Sequence, residues 1–522
     1  MRRWISAMCA LVVGGWAITG LATPASPTPI RDVYVVLLVL DGCRPDMLYQ
    51  LIDAGILPNT KKYLVDEGTR FTQALTIFPS ATMSAYQTMI SGLFPGHAGI
   101  PYLQWFDRVH VEVHNFLNLT GALTLNRDFR NSYLGDIRAT TQSSGGTLFD
   151  DLAGYPTAAV FSPYFRNATV RRPKSPLVPL WSLLIDKRYE QIDHHAYRDL
   201  LDLFHGHDDA LPRFSLVALF GTDLLGHKYG PQHIRIRRNL IQFDAFLGDF
   251  IDLLRRRRIL EKTYLIVTSD HGMHDIDGVF DIEALFEAHG LPTVGNHPRR
   301  DARVYIGERG VSVATVTVKA PQGWAVPIDY PTLRNYPVTG TFRLDLVSLL
   351  TEAPPTDLVL VRDHDRVRLV TSTAEAVVTH ERRHGRSYYR YRAISGDPLQ
   401  FARHRHLRAY RHGRPLTVAQ WNAALARTDT PGAVPQLGQI FDDGRAGDMV
   451  VIAKLPWGFY ARKAATHGTH RAIDMQIPLL IRGPSIPVGT RSVGQVTDLY
   501  PTMLQWFGLG VCRHCIDGTP LF

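Results

Sequence analysis

The stretch "VYVVLLVLDGCRPD", Val33 to Asp46, decides the fold. Its apolar run from Val33 to Leu40 shows no alternation with polar residues, the pattern of a strand buried on both faces of a parallel sheet. The run stops at Asp41-Gly42, a carboxylate at a strand tip followed by a turn residue. Working outward, similar runs bounded by Gly, Pro or charge recur as "TAAVF" (157–161), "FSLVALF" (214–220), "TYLIVTS" (263–269), "DMVVIA" (448–453) and "IPLLIRG" (477–483). Helix-like stretches such as "TMSAYQTMISGLF" and "RNLIQFDAFLGDFIDLLRR" separate several of them. Strands alternating with helices predict an α/β fold with a doubly wound, mostly parallel sheet and helices on both faces.

Between about 300 and 415 the texture changes to short alternating segments, "VSVATVTVKA", "DLVLV", "RVRLVT", "AEAVVTH" and "SYYRYRAI", broken by turn residues. The expected organisation is therefore a signal peptide over 1–25, a first part of the α/β core over 31–299, a β-rich insertion or cap over 300–440, and a second part of the core over 441–522. The His- and Arg-rich "ARHRHLRAYRHGR" (402–414) reads as a solvated connector rather than a phosphate clamp.

With 522 residues, 45% of them hydrophobic and 20% charged, the chain can bury a large core and has the make-up of a globular protein rather than a disordered or repeat protein. Arg2 and Arg3 precede the apolar run "WISAMCALVVGGWAITGLA" and the Pro-rich "TPASPTPI", the order of a secretory signal, with cleavage expected near Ala22 or Ala25. The alternative is an uncleaved anchor, since the run is just long enough to span a bilayer. Either way an exported protein, periplasmic or secreted, is expected. Cys9 falls in the signal, so Cys43, Cys512 and Cys515 remain; "CRHC" reads as a local disulfide more readily than a zinc knuckle, because no second CxxC accompanies it. The formal charge of +9 suits an anionic substrate or surface. Specific nucleic-acid binding is not expected, because the densest basic run, Arg255–Arg258, reads as the solvated face of a helix.

Ligands of open α/β sheets bind beyond the carboxyl ends of the strands. Asp41 stands at the first such end; "GTDLLGHKYGP" after 214–220 carries Asp223 and His227 at i, i+4; "DHGM" after 263–269 carries Asp270 and His271. Each has an ordinary reading as a cap, a surface pair or a polar turn, but three Asp- or His-bearing tips together point to one metal-binding edge. A mixed Asp/His donor set suits Zn²⁺ best, with Mn²⁺ or Mg²⁺ as less favoured substitutes. In "IFPSATMSAYQTMISGLFPG" (77–96), Thr82 is expected at a helix start, where free backbone N–H groups favour an anionic group. A hydroxyl there becomes a nucleophile only beside a metal.

These segments resemble the alkaline phosphatase superfamily and, within it, the nucleotide pyrophosphatase/phosphodiesterase branch. "VLDGCRPD", "PSATMSAY", "DLLGHKYGP", "SDHGM" and "THGTHRAIDMQIPLLIRGP" follow that branch's motifs in order over most of 31–295 and 440–522. The resemblance implies two zinc ions: Asp41, Thr82, Asp270 and His271 around one, Asp223, His227 and His467 around the other. Thr82 would be the nucleophile, passing through a phospho-threonine intermediate. His467 is preferred to His470 because it directly precedes Gly468, and Ser80 and Ser84 are left as caps or local hydrogen-bonders.

The sequence departs from the branch in two places. "SATMSAY" replaces most of "TKTFPNH", and Leu103 in "GIPYLQ" stands where the phosphodiesterases carry an Asn that bonds a phosphoryl oxygen. Gln104, Ser84, Lys228 or backbone N–H groups are the replacements weighed for that donor, and Tyr102, Trp105 and Phe106 are either substrate-facing or core aromatics. His97, one position before the pattern's His, is given no role. The expected function is an exported two-zinc hydrolase of phosphodiester or pyrophosphate bonds acting on a small phosphate ester, nucleotide- or phospholipid-derived, with no stable protein partner implied. Its rivals are a phosphomonoesterase, a phosphonoacetate-hydrolase-like enzyme and, from another class, a pseudoenzyme binding module. Arylsulfatase is disfavoured because no C/S-x-P-x-R segment is present, and cofactor-independent phosphoglycerate mutase because it uses Ser and is not exported.

Overall fold

The computed structural model describes residues 29–115, 146–174, 189–295, 300–307, 311–383, 386–459, 463–513 and 515–522. The expected signal peptide over 1–25 lies outside the described residues.

The Tyr34–Leu40 strand is buried along its whole length, because aliphatic and β-branched side chains point to both faces of a sheet covered by helices on each side. It sits inside an eight-stranded sheet whose order is Gly489–Gln495, Thr69–Leu75, Gln476–Arg482, Thr263–Thr268, Tyr34–Leu40, Phe214–Leu219, Thr157–Val160 and Val170–Arg172. Only Gln476–Arg482 runs antiparallel to its neighbours, so the sheet is mostly parallel, as the continuous runs predict. The Ile234–Arg256 helix lays an apolar stripe including Leu240, Phe243, Leu247, Phe250 and Leu254 on this core and leaves Arg255 and Arg256 in its last turn.

A second eight-stranded sheet is antiparallel throughout, in the order Val304–Gly307, Val313–Val318, Met449–Ala453, Thr356–Asp363, Arg366–Val370, Glu375–Arg383, Arg386–Ser395 and Leu416–Thr417. Alternate residues serve its two faces: Leu358 and Leu360 join one apolar cluster, Val359 and Val361 the other. The run at 448–453 pairs here, with Val313–Val318 on one side and Thr356–Asp363 on the other, and not in the main sheet as its sequence suggested. A strand at the centre of either sheet is covered on both faces, so its composition does not say which sheet it joins.

One face of the second sheet packs on Phe78, Ala81, Tyr102 and Leu103, the segments on either side of the Thr82 helix. The β-rich unit is thus built into the wall behind the candidate site. The 402–414 segment forms short 3₁₀ turns anchored by buried Leu407. Cys512 and Cys515 form a disulfide, and Cys43 is a buried free thiol whose pKa burial pushes up. Among the described residues no helix is long and apolar enough to cross a membrane.

Candidate metal centre

Strand register creates the site. In the parallel ladders Leu40 lies opposite Leu219 and Val39 opposite Thr268, so three chains leave the sheet side by side at their carboxyl ends. The first turns at once through Asp41 and Gly42, the second enters the Gly221–Tyr229 helix with Asp223 in its first turn, and the third continues into Asp270 and His271. Gly42 has φ +64°, and a Cβ there would stand 3.0 Å from the Cα, Cβ and Oδ1 of Asp223. Glycine therefore allows both the left-handed turn and the close approach of Asp223. The Gly42 N–H donates to Asp270 Oδ1 at 3.0 Å, tying the first and third tips together.

Two groups of ligand-type side chains result: Asp41, Asp270 and His271, and Asp223, His227 and His467, the donor atoms within each group lying within 4.8 Å of one another. They adjoin, since the rings of His271 and His467 stack at 3.5 Å. His271 Nε2 is 3.3 Å from Asp270 Oδ2 and 3.5 Å from Asp41 Oδ1; Asp223 Oδ1 is 3.3 Å from His227 Nε2 and 3.9 Å from His467 Nε2. His467 arrives from the other end of the chain, carried by the Ala465–Thr466 strand that pairs with His274–Asp275.

The tautomers follow from the backbone. Nδ1 of His227 donates to Ala465 O at 2.7 Å, that of His467 to Ser80 O at 2.7 Å, and that of His271 to Gly272 O at 2.9 Å. A carbonyl only accepts, so each Nδ1 carries the proton and each Nε2 offers a lone pair to the clusters, the arrangement found around metal-binding histidines. Burial holds the His227 imidazolium down to about 4 and His467 well below its ordinary value, which keeps both rings neutral.

The carboxylates have the surroundings of cation ligands. Both oxygens of Asp41, Oδ1 of Asp223 and Oδ2 of Asp270 are buried and accept no hydrogen bond. Burial, then the charges of Asp270 and Asp223, push the Asp41 carboxyl well above the usual range; burial also raises Asp270. Clustered buried carboxylates without donors are costly unless a cation neutralises them. Three such carboxylates beside three imidazoles suit cation binding by mixed oxygen and nitrogen donors.

Thr82 opens the ten-residue helix Thr82–Ser91, after Ala81 in extended conformation. Its Oγ1 lies 3.4 Å from His271 Nε2 and its side chain is half-buried. The two serines of the same stretch are fully buried and turned elsewhere: Ser80 Oγ donates to Thr469 O at 3.0 Å, and Ser84 Oγ to Ile100 O at 2.8 Å. Of the three hydroxyls only Thr82 faces a cluster.

The other residues weighed for substrate contact have different fates. Tyr102 is buried, its hydroxyl donating to Val313 O, and Leu103 is buried among second-sheet side chains, so both are core residues. Lys228 is exposed, with Nζ 5.1 Å from the ring centres of Tyr189 and Tyr229. Gln104 is buried, its Oε1 accepting from Tyr305 Oη at 3.4 Å. Trp105 is half-buried between the His114 ring at 4.3 Å and the Arg445 guanidinium at 4.7 Å. His470 is buried next to Arg471 and is absent from both clusters.

Sequence reasoning missed several supports. Ser80 brackets the late histidine loop, accepting from Gly468 N at 3.1 Å while its carbonyl orients His467. Thr222 Oγ1 donates to Asp41 O at 2.5 Å, and Ser269 Oγ accepts from Cys43 N at 2.9 Å and donates to His271 O at 2.8 Å. Lys463, whose ammonium burial lowers and Asp223 pulls back up, brings a cation to the second cluster. A serine or lysine at these places has no spacing signal that marks it; only the fold brings it near.

A doubly wound sheet with this crest of strand-end aspartates and histidines is an alkaline-phosphatase-like fold. The structure is similar to murine ectonucleotide pyrophosphatase/phosphodiesterase 5, at a TM-score of 0.54 and 15% identity, covering 91% of this chain and 95% of that one, and to an inactive variant of the same mouse protein in complex with AMP, at the same TM-score. In sequence the chain is 24% identical over 318 residues to an uncharacterized pyrophosphatase/phosphodiesterase of Schizosaccharomyces pombe, covering 57% of this chain and 59% of that protein. It is 24% identical over 278 residues to human ectonucleotide pyrophosphatase/phosphodiesterase family member 1, covering 52% of this chain and 26% of that protein. The matched region thus spans less than two thirds of each of these relatives. The family model "Type I phosphodiesterase / nucleotide pyrophosphatase" matches residues 35–472, and the chain belongs to that family, one of phosphoric ester hydrolases.

Proposed function

We propose that the protein is an exported two-zinc hydrolase that cleaves phosphodiester or pyrophosphate bonds through a phospho-threonine intermediate on Thr82. The observation that carries this reading is the set of buried, donorless carboxylate oxygens of Asp41, Asp223 and Asp270 beside Thr82 Oγ1, which lies 3.4 Å from His271 Nε2. Asp41, Asp270, His271 and Thr82 would hold one ion, and Asp223, His227 and His467 the other. When bound, the zinc pair lowers the pKa of the threonine hydroxyl and offsets the charge of the phosphoryl group.

The chain's own residues do the rest. The helix start presents its free N–H groups to the phosphoryl oxygens and fixes Thr82 Oγ1 for in-line attack on phosphorus. The bond to the leaving oxygen breaks as the Thr82–phosphorus bond forms, and water then cleaves the ester and restores the hydroxyl. Carbonyl-anchored imidazoles hold their Nε2 atoms in place throughout. Export rests on the N-terminal sequence, and the "ecto-" and "venom" names of relatives agree with it.

A phosphomonoesterase is the second reading, favoured by Leu103, which is buried where the phosphodiesterases have an Asn donor and gives no hydrogen bond to a phosphoryl oxygen. The deciding assay compares bis-p-nitrophenyl phosphate with p-nitrophenyl phosphate on zinc-loaded protein, with Thr82→Ala as control. Faster cleavage of the diester, abolished in Thr82→Ala, supports the proposal; preferential cleavage of the monoester replaces it with the second reading. Loss of neither activity in Thr82→Ala would remove the threonine from the mechanism.

A further inference from the structure

A third group of ligand-type side chains lies away from the strand ends and has no part in the reaction above. His97 sits on the short Pro95–Ala98 helix, His380 on the Glu375–Arg383 strand of the second sheet, and Asp442 in the turn after Phe441; their donor atoms lie within 4.8 Å of one another. His97 Nε2 is 2.8 Å from Asp442 Oδ2, and His380 Nε2 is 3.7 Å from the same oxygen. On the far side of the ring, His97 Nδ1 meets Asp517 Oδ2 at 2.7 Å, and that oxygen is itself fixed by the Phe94 N–H at 2.8 Å.

We propose that His97, His380 and Asp442 form a third metal site, filled by zinc, in which Asp517 orients His97. A carboxylate behind the distal nitrogen of an imidazole fixes its tautomer and makes the other nitrogen a better ligand, the usual outer support of a metal-binding histidine. The His380–Asp442 contact is too long for a hydrogen bond. It matches two ligands that each lie about 2.1 Å from one tetrahedral ion, which stand roughly 3.4 Å apart. Two imidazoles and a carboxylate form a donor set suited to zinc, with a fourth position left for water. The four residues come from four distant parts of the chain, so the ion would staple the second sheet and the C-terminal segment to the turn that follows the nucleophile helix.

The competing account is a proton-held clasp. Without metal, the charges of Asp517 and Asp442 outweigh burial and raise His97 to about 10, so an imidazolium bridges the two carboxylates. Zinc would displace the Nε2 proton, and its binding therefore strengthens as pH rises. The accounts divide at His380, which a clasp does not need. Its side chain is 31% exposed, and removing it leaves both His97 ion pairs intact.

The test is metal counting on full-length protein stripped with chelator, reloaded with zinc at mildly alkaline pH and desalted. Wild type, His380→Ala and His97→Gln are compared, with circular dichroism to verify folding. The expected result is one zinc fewer per chain in each variant, whatever the wild-type total, while Asp223→Asn keeps the zinc that His380→Ala loses. An unchanged count in folded His380→Ala overturns the proposal, and a lowered melting temperature in His97→Gln alone identifies the clasp instead.

Discussion

Three hydroxyls share the stretch Ser80–Ser84, and burial separates them. Ser80 and Ser84 spend their protons on backbone carbonyls, while Thr82 keeps its oxygen beside His271. Thr82→Ala is expected to lower kcat for the diester by about a thousandfold or more, whereas Thr82→Ser retains measurable turnover, both read by steady-state kinetics. Ser80→Ala removes the hydrogen bonds that bracket Gly468 and Thr469 around His467. Its expected cost is roughly 10–100-fold in zinc retention, measured by chelator competition, because supports of a ligand act through the ligand's orientation. His97 supplies a pH signature. In metal-stripped protein its folded pKa is about 10, above the ordinary 6.5, so its stabilisation is fully present below 6.5 and is lost as pH climbs toward 10. Melting temperatures of wild type and His97→Gln in chelator should differ most near pH 6 and converge in strong alkali.

At the scale of elements, the site is an outcome of register. The first strand is flanked by Phe214–Leu219 and Thr263–Thr268 in parallel ladders, so their three following residues or turns share one edge. Gly42 is where that convergence is most exposed to mutation. Gly42→Ala forces a side chain into a left-handed conformation at about 1–2 kcal/mol, and its Cβ meets Asp223 at 3.0 Å. The expected outcome is a lower urea midpoint together with loss of metal from the second cluster; a stability change with normal metal content would show that Asp223 is free to shift. The aspartate tips were legible in the sequence because a continuous apolar run ending in Asp has few ordinary explanations when repeated. The membership of Met449–Ala453 in the second sheet was not, because central strands of both sheets carry the same residues.

Across the whole molecule, the antiparallel sheet backs the candidate site: its apolar face contacts Phe78, Ala81, Tyr102 and Leu103 around the Thr82 helix. Arg471 links the two units near the late histidine loop, its guanidinium bonding Asp357 on the second sheet through Nε at 3.0 Å and Asp429 at 2.7 Å. Arg471→Ala is expected to cost about 2 kcal/mol in urea unfolding, with kcat far less affected than in Thr82→Ala. Sequence by itself determined the α/β class, the family resemblance and the Asp and His residues that the strand ends bring together. Those signals are local, carried by apolar runs and by residues adjacent to them. Tertiary structure alone decided that Tyr102 and Leu103 are core side chains, that Lys228 turns to two tyrosine rings, that Ser80 orients His467, and that His97 meets His380 and Asp442. Each of those joins segments far apart in the chain or turns on a side chain's direction, and no periodicity in the sequence encodes a contact made only when two sheets pack.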